Sequence, residues 1–268
     1  MSATGIDLLR FKRQVAMPGI GEKGMELLKG ATVLHLGMGG GGCAASHQFA
    51  MSNIGRLILC DHDEIEYSNL GRQYLYREEF IGMRKVDAAK ISLKLMNPDI
   101  EIETIPEKVS IPILDDIRKK YDNLYLFLAV DNFDVHIMVN QYCIQHKIPA
   151  IHILSEGYKG FVYTYDPQRT PRCVECTMKD YFKVAISELD CDKYAYLSPV
   201  IPIPCSMGVI EAIKMILNYG NRFMGDKFLI YRGVDRIDEY EDTSKNNDFF
   251  EVRQLNKNLS CKWFVKCS

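Results

Sequence analysis

A chain of 268 residues, 47% of them apolar, has enough material to bury a full core. Its net charge of −2 and isoelectric point near 6.3 exclude a global basic field for nucleic acid or an anionic membrane, so any phosphate binding has to come from a local site. Apolar runs reach only about eight residues, short of the roughly 20 that a membrane span needs, and the opening MSATGIDLLRFKRQ has no apolar signal core, which makes the cytoplasm the default.

In chain order, ATVLHLG (31–37) reads as a buried strand and GGCAASHQFAMSNIG as a small-residue helix able to pack closely on a sheet. RLILCD (56–61) is a second strand and RKVDAAKISLKLMN (84–97) a second helix. IEIETI (100–105), LYLFLAV (124–130) and AIHIL (150–154) continue the strands, with helices around 110–120 and 134–146. Such alternation predicts a parallel sheet covered on both faces. After residue 155 the pattern changes: GYKGFVYTYD alternates like an antiparallel strand, CSMGVIEAIKMILNYG (205–220) is helical with a glycine stop, and KFLIYRG and DFFEVRQL read as late strands. The expected fold class is α/β, a Rossmann-like mostly parallel sheet extended by antiparallel strands in the second half. Nine cysteines, several inside apolar segments, suggest reduced thiols with a possible metal site and not a disulfide framework.

Five glycines fall in the six positions 37–42, directly after the first strand. Gly37, Gly39 and Gly42 fit G-x-G-x-x-G, in which bare backbone N–H groups and a helix N-terminus face a phosphate. Asp61 ends the next strand, where a carboxylate accepts from ribose hydroxyls. The fingerprint alone favours an NAD(P)-dependent oxidoreductase. The next segment, CDHDEIEYSNLGRQYLYREEFIGMRKVDAAK, argues otherwise: it places Asn69, Arg72, Gln73 and Lys85 just beyond Asp61. A bound diphosphate spread over a helix N-terminus does not need two further cations, whereas a triphosphate being cleaved does, because charge builds on departing pyrophosphate.

The glycine loop, the strand ending in Asp, SNLGRQ and the lysine opening a helix together resemble the ThiF/MoeB/HesA adenylyltransferases, relatives of ubiquitin-activating enzymes. LLRFKRQVAMPGIGEKGMELLKGATVL, AVDNFDVH (129–136) and CDKYAYLSPVIPIPCSMGVIEAIKMI (191–216) extend the resemblance along nearly the whole chain. It implies one domain over 1–268: a helical arm (1–30), a nucleotide-binding half (31–155) and an acceptor-binding, zinc-holding half (156–268). It implies ATP-dependent formation of an acyl-adenylate and pyrophosphate, with catalysis by positioning and charge neutralisation. Gly40 would touch phosphate and Asp61 the ribose; Ser68, Asn69 and Arg72 would touch the nucleotide and Lys85 the triphosphate. Asp131 would hold Mg²⁺ with Asn132 alongside. Arg13 would enter the neighbouring site of a homodimer. Taken singly, Arg13, Arg72 and Lys85 read as ordinary solvated charges; the ordered set of motifs favours the functional reading.

Cys173-x-x-Cys176 supplies a chelate pair that, by resemblance, a C-terminal pair completes into a structural Zn²⁺ site. Here that second pair is Cys261 and Cys267, with Phe264 where a thiol is expected, so a metal-free terminus stays open. Cys191 occupies the position at which some family members form a covalent adduct with a carrier protein. Asp190 and Asp192 flank it and disfavour the thiolate, partly offset by Lys193. Cys43, Cys60, Cys143 and Cys205 read as core. PVIPIPCSMG replaces small glycine-rich turns of the family with prolines, which points to an altered acceptor surface.

The resemblance implies an acceptor such as the C-terminal Gly-Gly of a ubiquitin-like sulfur-carrier protein of the molybdopterin or thiamin type. With no rhodanese-like tail after Cys267, sulfur would come from another protein. A small-molecule or peptide carboxylate is the alternative, as in the hydrogenase guanylylpyridinol cofactor of methanogens or in peptide antibiotics. An oxidoreductase and a non-catalytic ATP-binding scaffold remain as readings of other classes.

Overall fold

A computed structural model describes residues 7, 9–156, 159–168, 197–220, 227–232 and 250–254. Its elements run α1 (Lys12–Val15), α2 (Gly21–Lys29), β1 (Thr32–Leu36), α3 (Gly40–Met51), β2 (Arg56–Cys60), α4 (Lys85–Met96), β3 (Glu101–Ile105), α5 (Ile111–Lys120), β4 (Leu124–Leu128), α6 (Phe133–His146), β5 (Ala150–Glu156), β6 (Lys159–Tyr165), α7 (Pro202–Ile216), β7 (Lys227–Arg232) and β8 (Phe250–Gln254). The eight strands form one sheet in the order β3-β2-β1-β4-β5-β6-β7-β8. Pairing is parallel from β3 to β5 and antiparallel from β5 onward. The later strands therefore extend the first sheet, as their alternation predicted.

Strand alternation divides the core between the two faces of the sheet. Val33, Leu57, Leu59, Phe127, Ile151 and Val162 pack with the buried sides of α2, α3, α4 and α7. Leu34, Leu36, Ile58, Leu126, Leu128 and Tyr163 pack on the opposite face with α5 and α6. The small residues of α3 are mostly buried, which lets this helix lie close to the sheet and to α7.

The last described helix differs from expectation at its start. It begins at Pro202, three residues before Cys205, with Pro202 and Pro204 in its first turn. The first N–H groups of a helix have no intrahelical partner, so proline there forfeits no bond and its fixed φ suits the helix. Together with the preceding short 3₁₀ turn (Ser198–Val200), this segment is long and apolar enough by composition to cross a membrane. It is instead largely core: Cys205, Val209, Ala212 and Met215 pack into the sheet face.

Three histidines lie fully inside: His35 on β1, His136 on α6 and His152 on β5. Burial lowers His35 to about 3 and His136 to about 4, and carries His152 well below its usual value. An unfolded histidine binds its proton near pH 6.5, so the unfolded chain takes up protons first and stability falls as pH drops below that value. We expect a loss of about 2 kcal/mol per buried imidazole at pH 5 relative to pH 8, read from denaturant midpoints. Equal midpoints at the two pH values would contradict neutral burial.

Candidate functional site

The strand order reverses between β1 and β4, and in such open sheets the crevice at the carboxyl ends of those strands receives ligands. The turn after β1 contains the glycine run. Gly37 has φ +88°, and a Cβ there would lie 2.5 Å from the Ala129 carbonyl oxygen beyond β4. A Cβ on Gly42 would lie 2.2 Å from the Gly37 carbonyl oxygen. Both positions demand glycine for the two chain segments to approach this closely. Gly39 precedes α3 in an extended conformation, and the free N–H groups of the helix's first turn open toward the crevice end of the sheet.

Two side chains clamp the peptide that enters this turn. The Asp61 carboxylate, just past β2, accepts from Met38 N at 2.6 Å and from Asp63 N at 2.8 Å. The buried Tyr76 hydroxyl donates to the Met38 carbonyl at 2.6 Å. Asp61 was legible as the residue ending a strand; Tyr76 was not, because its partner lies 38 positions away. Removing the hydroxyl in Tyr76→Phe strands a buried carbonyl, so we expect a stability loss of about 1–3 kcal/mol. A weaker affinity for ATP should accompany it, measured by denaturation and titration calorimetry. Unchanged affinity would show that the clamp does not shape the turn.

The SNLGRQ segment packs directly on the glycines. A methyl group on Gly40 would stand 3.3 Å from the Arg72 carbonyl oxygen, and one on Gly39 would stand 3.9 Å from Gln73 Nε2. A short 3₁₀ turn (Tyr67–Asn69) holds the segment, with Glu66 and Asn69 bonding reciprocally across it. Arg72 donates from Nη1 to the Ser68 carbonyl at 3.0 Å, and Ser68 itself is exposed. Gln73 is buried, and its Oε1 has no partner among the described residues. An acceptor in that position beside the glycines suits a ligand that donates a hydrogen bond.

Lys85 opens α4 and is buried, with Nζ 2.7 Å from the Asp63 carboxylate. Burial raises the Asp63 carboxyl, but the hydrogen bond and charge of Lys85 outweigh it and leave the group below its usual value. The Cys43 thiol, in the first turn of α3, is pushed up to about 12, chiefly by burial. Lys85 connects to the glycine turn through Asp63, whose N–H bonds the Asp61 carboxylate that also holds Met38 N. Cys43, Cys60, Cys143 and Cys205 are free and buried, as their apolar surroundings predicted.

Asp131 is exposed beyond β4, across the switch point from the glycines. Asn132 caps α6 by accepting from Asp134 N at 2.9 Å and Val135 N at 3.3 Å. An exposed carboxylate at that end of the sheet fits a hard cation such as Mg²⁺. Asp61, His62 and Asp63 also bring ligand atoms within 4.8 Å of one another, although Lys85 already engages Asp63. Arg13 is exposed on α1, with no ion pair among the described residues. Cys173, Cys176, Cys191, Cys261 and Cys267 lie outside the described residues.

Residues 11–252 match the model of the ThiF family. The chain is 34% identical to a molybdopterin-synthase adenylyltransferase of Haemophilus influenzae over 226 residues, covering 83% of this chain and 89% of the relative. It is 29% identical over 264 residues to the heterocyst HesA protein of Trichormus variabilis, covering 97% and 90% of the two chains. Among solved structures, E. coli MccB with ATP superimposes with a TM-score of 0.72 at 26% identity, over 90% of this chain and 68% of that one. E. coli MccB with AMPCPP and MccA superimposes with a TM-score of 0.71 at 26% identity, covering 89% and 68%. The oxidoreductase alternative finds no support in these relatives.

Proposed function

The chain belongs to the ThiF family, and from that premise we propose that its crevice spends ATP to activate a carboxylate as an acyl-adenylate. A carboxylate oxygen bonds to the α-phosphorus, the bond from that phosphorus to the bridging oxygen breaks, and pyrophosphate departs. Negative charge collects on the departing pyrophosphate, so fixed cations in a water-poor site accelerate the step. Buried Lys85, paired with Asp63, whose N–H bonds the same Asp61 carboxylate that holds Met38 in the glycine turn, is the observation that carries this reading. A nicotinamide dinucleotide that keeps its diphosphate has no use for it.

In this assignment the N–H groups of Gly39, Gly40 and the first turn of α3 receive phosphate oxygens. Asp61 holds the ribose while its carboxylate also fixes Met38. Ser68, Asn69, Arg72 and Gln73 line the nucleotide, and Lys85 shifts from Asp63 toward the outer phosphates. Asp131, with Asn132 alongside, would hold Mg²⁺, which neutralises phosphate oxygens when bound. Arg13, exposed on the N-terminal arm, would enter the site of a second copy in a homodimer. Cys191 as a covalent acceptor, and Cys173, Cys176, Cys261 and Cys267 as structural Zn²⁺ ligands, belong to the same proposal, as does a cytoplasmic location.

The acceptor we assign is the C-terminal Gly-Gly of a ubiquitin-like sulfur-carrier protein, by analogy with the molybdopterin-synthase adenylyltransferases. A second reading, a peptide or small-molecule carboxylate, is favoured by one feature. Pro204 in the first turn of α7 packs so closely on β6 that a Cβ at Gly160 would lie 2.6 Å from its ring, a stiff surface where the family's turns are glycine-rich. Mass spectrometry of reactions with ATP and each acceptor decides between them. We expect a carrier protein heavier by one adenylate; modification of peptides or pathway acids alone would select the second reading.

A further inference from the structure

Val130 separates β4 from the Asp131–Asn132 turn, and its carbonyl is not left to solvent. His136 Nε2 lies 3.1 Å from that carbonyl oxygen, and His136 Nδ1 lies 3.0 Å from His152 Nδ1 on β5. Both rings are buried. A carbonyl can only accept, so His136 carries its proton on Nε2 and presents a lone pair at Nδ1. His152 must then donate from Nδ1, which leaves its Nε2 as a bare acceptor, and that atom is buried without a partner among the described residues. The chain of donors thus has one direction and each ring one tautomer.

We propose that His136 is a positioning residue for Asp131: locked by His152, it tethers the Val130 carbonyl and thereby sets the turn that presents the Asp131 carboxylate to the crevice. The tether acts from one side while the Asn132 side chain fixes the other, through its bonds to Asp134 N and Val135 N. The turn is therefore held at both ends, by His136 before Asp131 and by the Asn132 cap after it. Phe133 lies tilted at 6.4 Å from His136, and Tyr163 lies tilted at 5.7 Å from His152, between ring centroids. This inference rests on the assignment of Asp131 as the cation-binding carboxylate.

Two experiments test it. Nitrogen-15 NMR of the nucleotide-free protein at pH 7.5 should find His136 protonated at Nε2 and His152 at Nδ1; the reverse pattern, or averaging of both tautomers, overturns the tether. Mn²⁺ binding in the presence of AMPCPP, followed by electron paramagnetic resonance, should weaken about tenfold in His136→Phe. It should return toward the wild-type value in His136→Gln, whose amide can again donate to Val130. A His136→Phe protein that is folded and binds Mn²⁺ as the wild type does overturns the positioning role. Mn²⁺ binding by the wild type that survives Asp131→Ala overturns the Asp131 assignment instead, while the tautomers are judged separately.

Discussion

Lys85→Ala should lower carboxylate-dependent ATP–pyrophosphate exchange by about two to three orders of magnitude, the usual loss when one charge-stabilising donor is removed from a developing anion. Lys85 is buried beside Asp63. Asp63 is half-exposed and stays solvated without its partner, so the variant should keep its fold. Arg72→Ala, which removes the guanidinium assigned to the nucleotide, should reduce exchange in the same direction. Exchange at wild-type rate in both variants would contradict the assigned roles, whatever the acceptor.

Gly37→Ala and Gly42→Ala should be the most damaging small substitutions in the glycine turn itself. At Gly42 the added carbon meets the Gly37 carbonyl at 2.2 Å, and neither atom can move without unwinding the start of α3. At Gly37 it meets the Ala129 carbonyl at 2.5 Å and sits on a backbone with φ +88°. Overpacking and left-handed strain together cost about 3 kcal/mol or more. Gly71→Ala, where the new methyl would have nothing within 4 Å, is the control and should behave as wild type in thermal denaturation and ATP binding. Equal tolerance of all three would mean that the turn is looser than its geometry requires.

These positions explain how far the sequence could be read. The parallel strands were legible because a strand buried on both faces is a short continuous apolar run, as in TVLHL and LYLFL. The glycine turn and Asp61 were legible because their spacing is local. Lys85 was legible as the lysine opening a helix, but not its burial or its pairing with Asp63. Tyr76 on Met38 and His136 on His152 were invisible because no local pattern shows which polar groups of two packed segments meet, over 38 positions in the first case and 16 in the second. The prolines at 202 and 204 misled in the opposite sense. They read as a stiff turn before a helix and instead form its first turn, where a missing N–H costs nothing.

The central claim is that the nucleotide at the β1/β4 crevice is cleaved and not recycled. Labelled pyrophosphate, incubated with the protein, ATP, Mg²⁺ and a carrier protein ending in Gly-Gly, measures that directly. The account predicts label appearing in ATP only when the carboxylate is present, and none when its C-terminus is amidated. Label-free ATP across carrier, peptide and small-molecule carboxylates alike, with NADH bound tightly at the same turn, would contradict it.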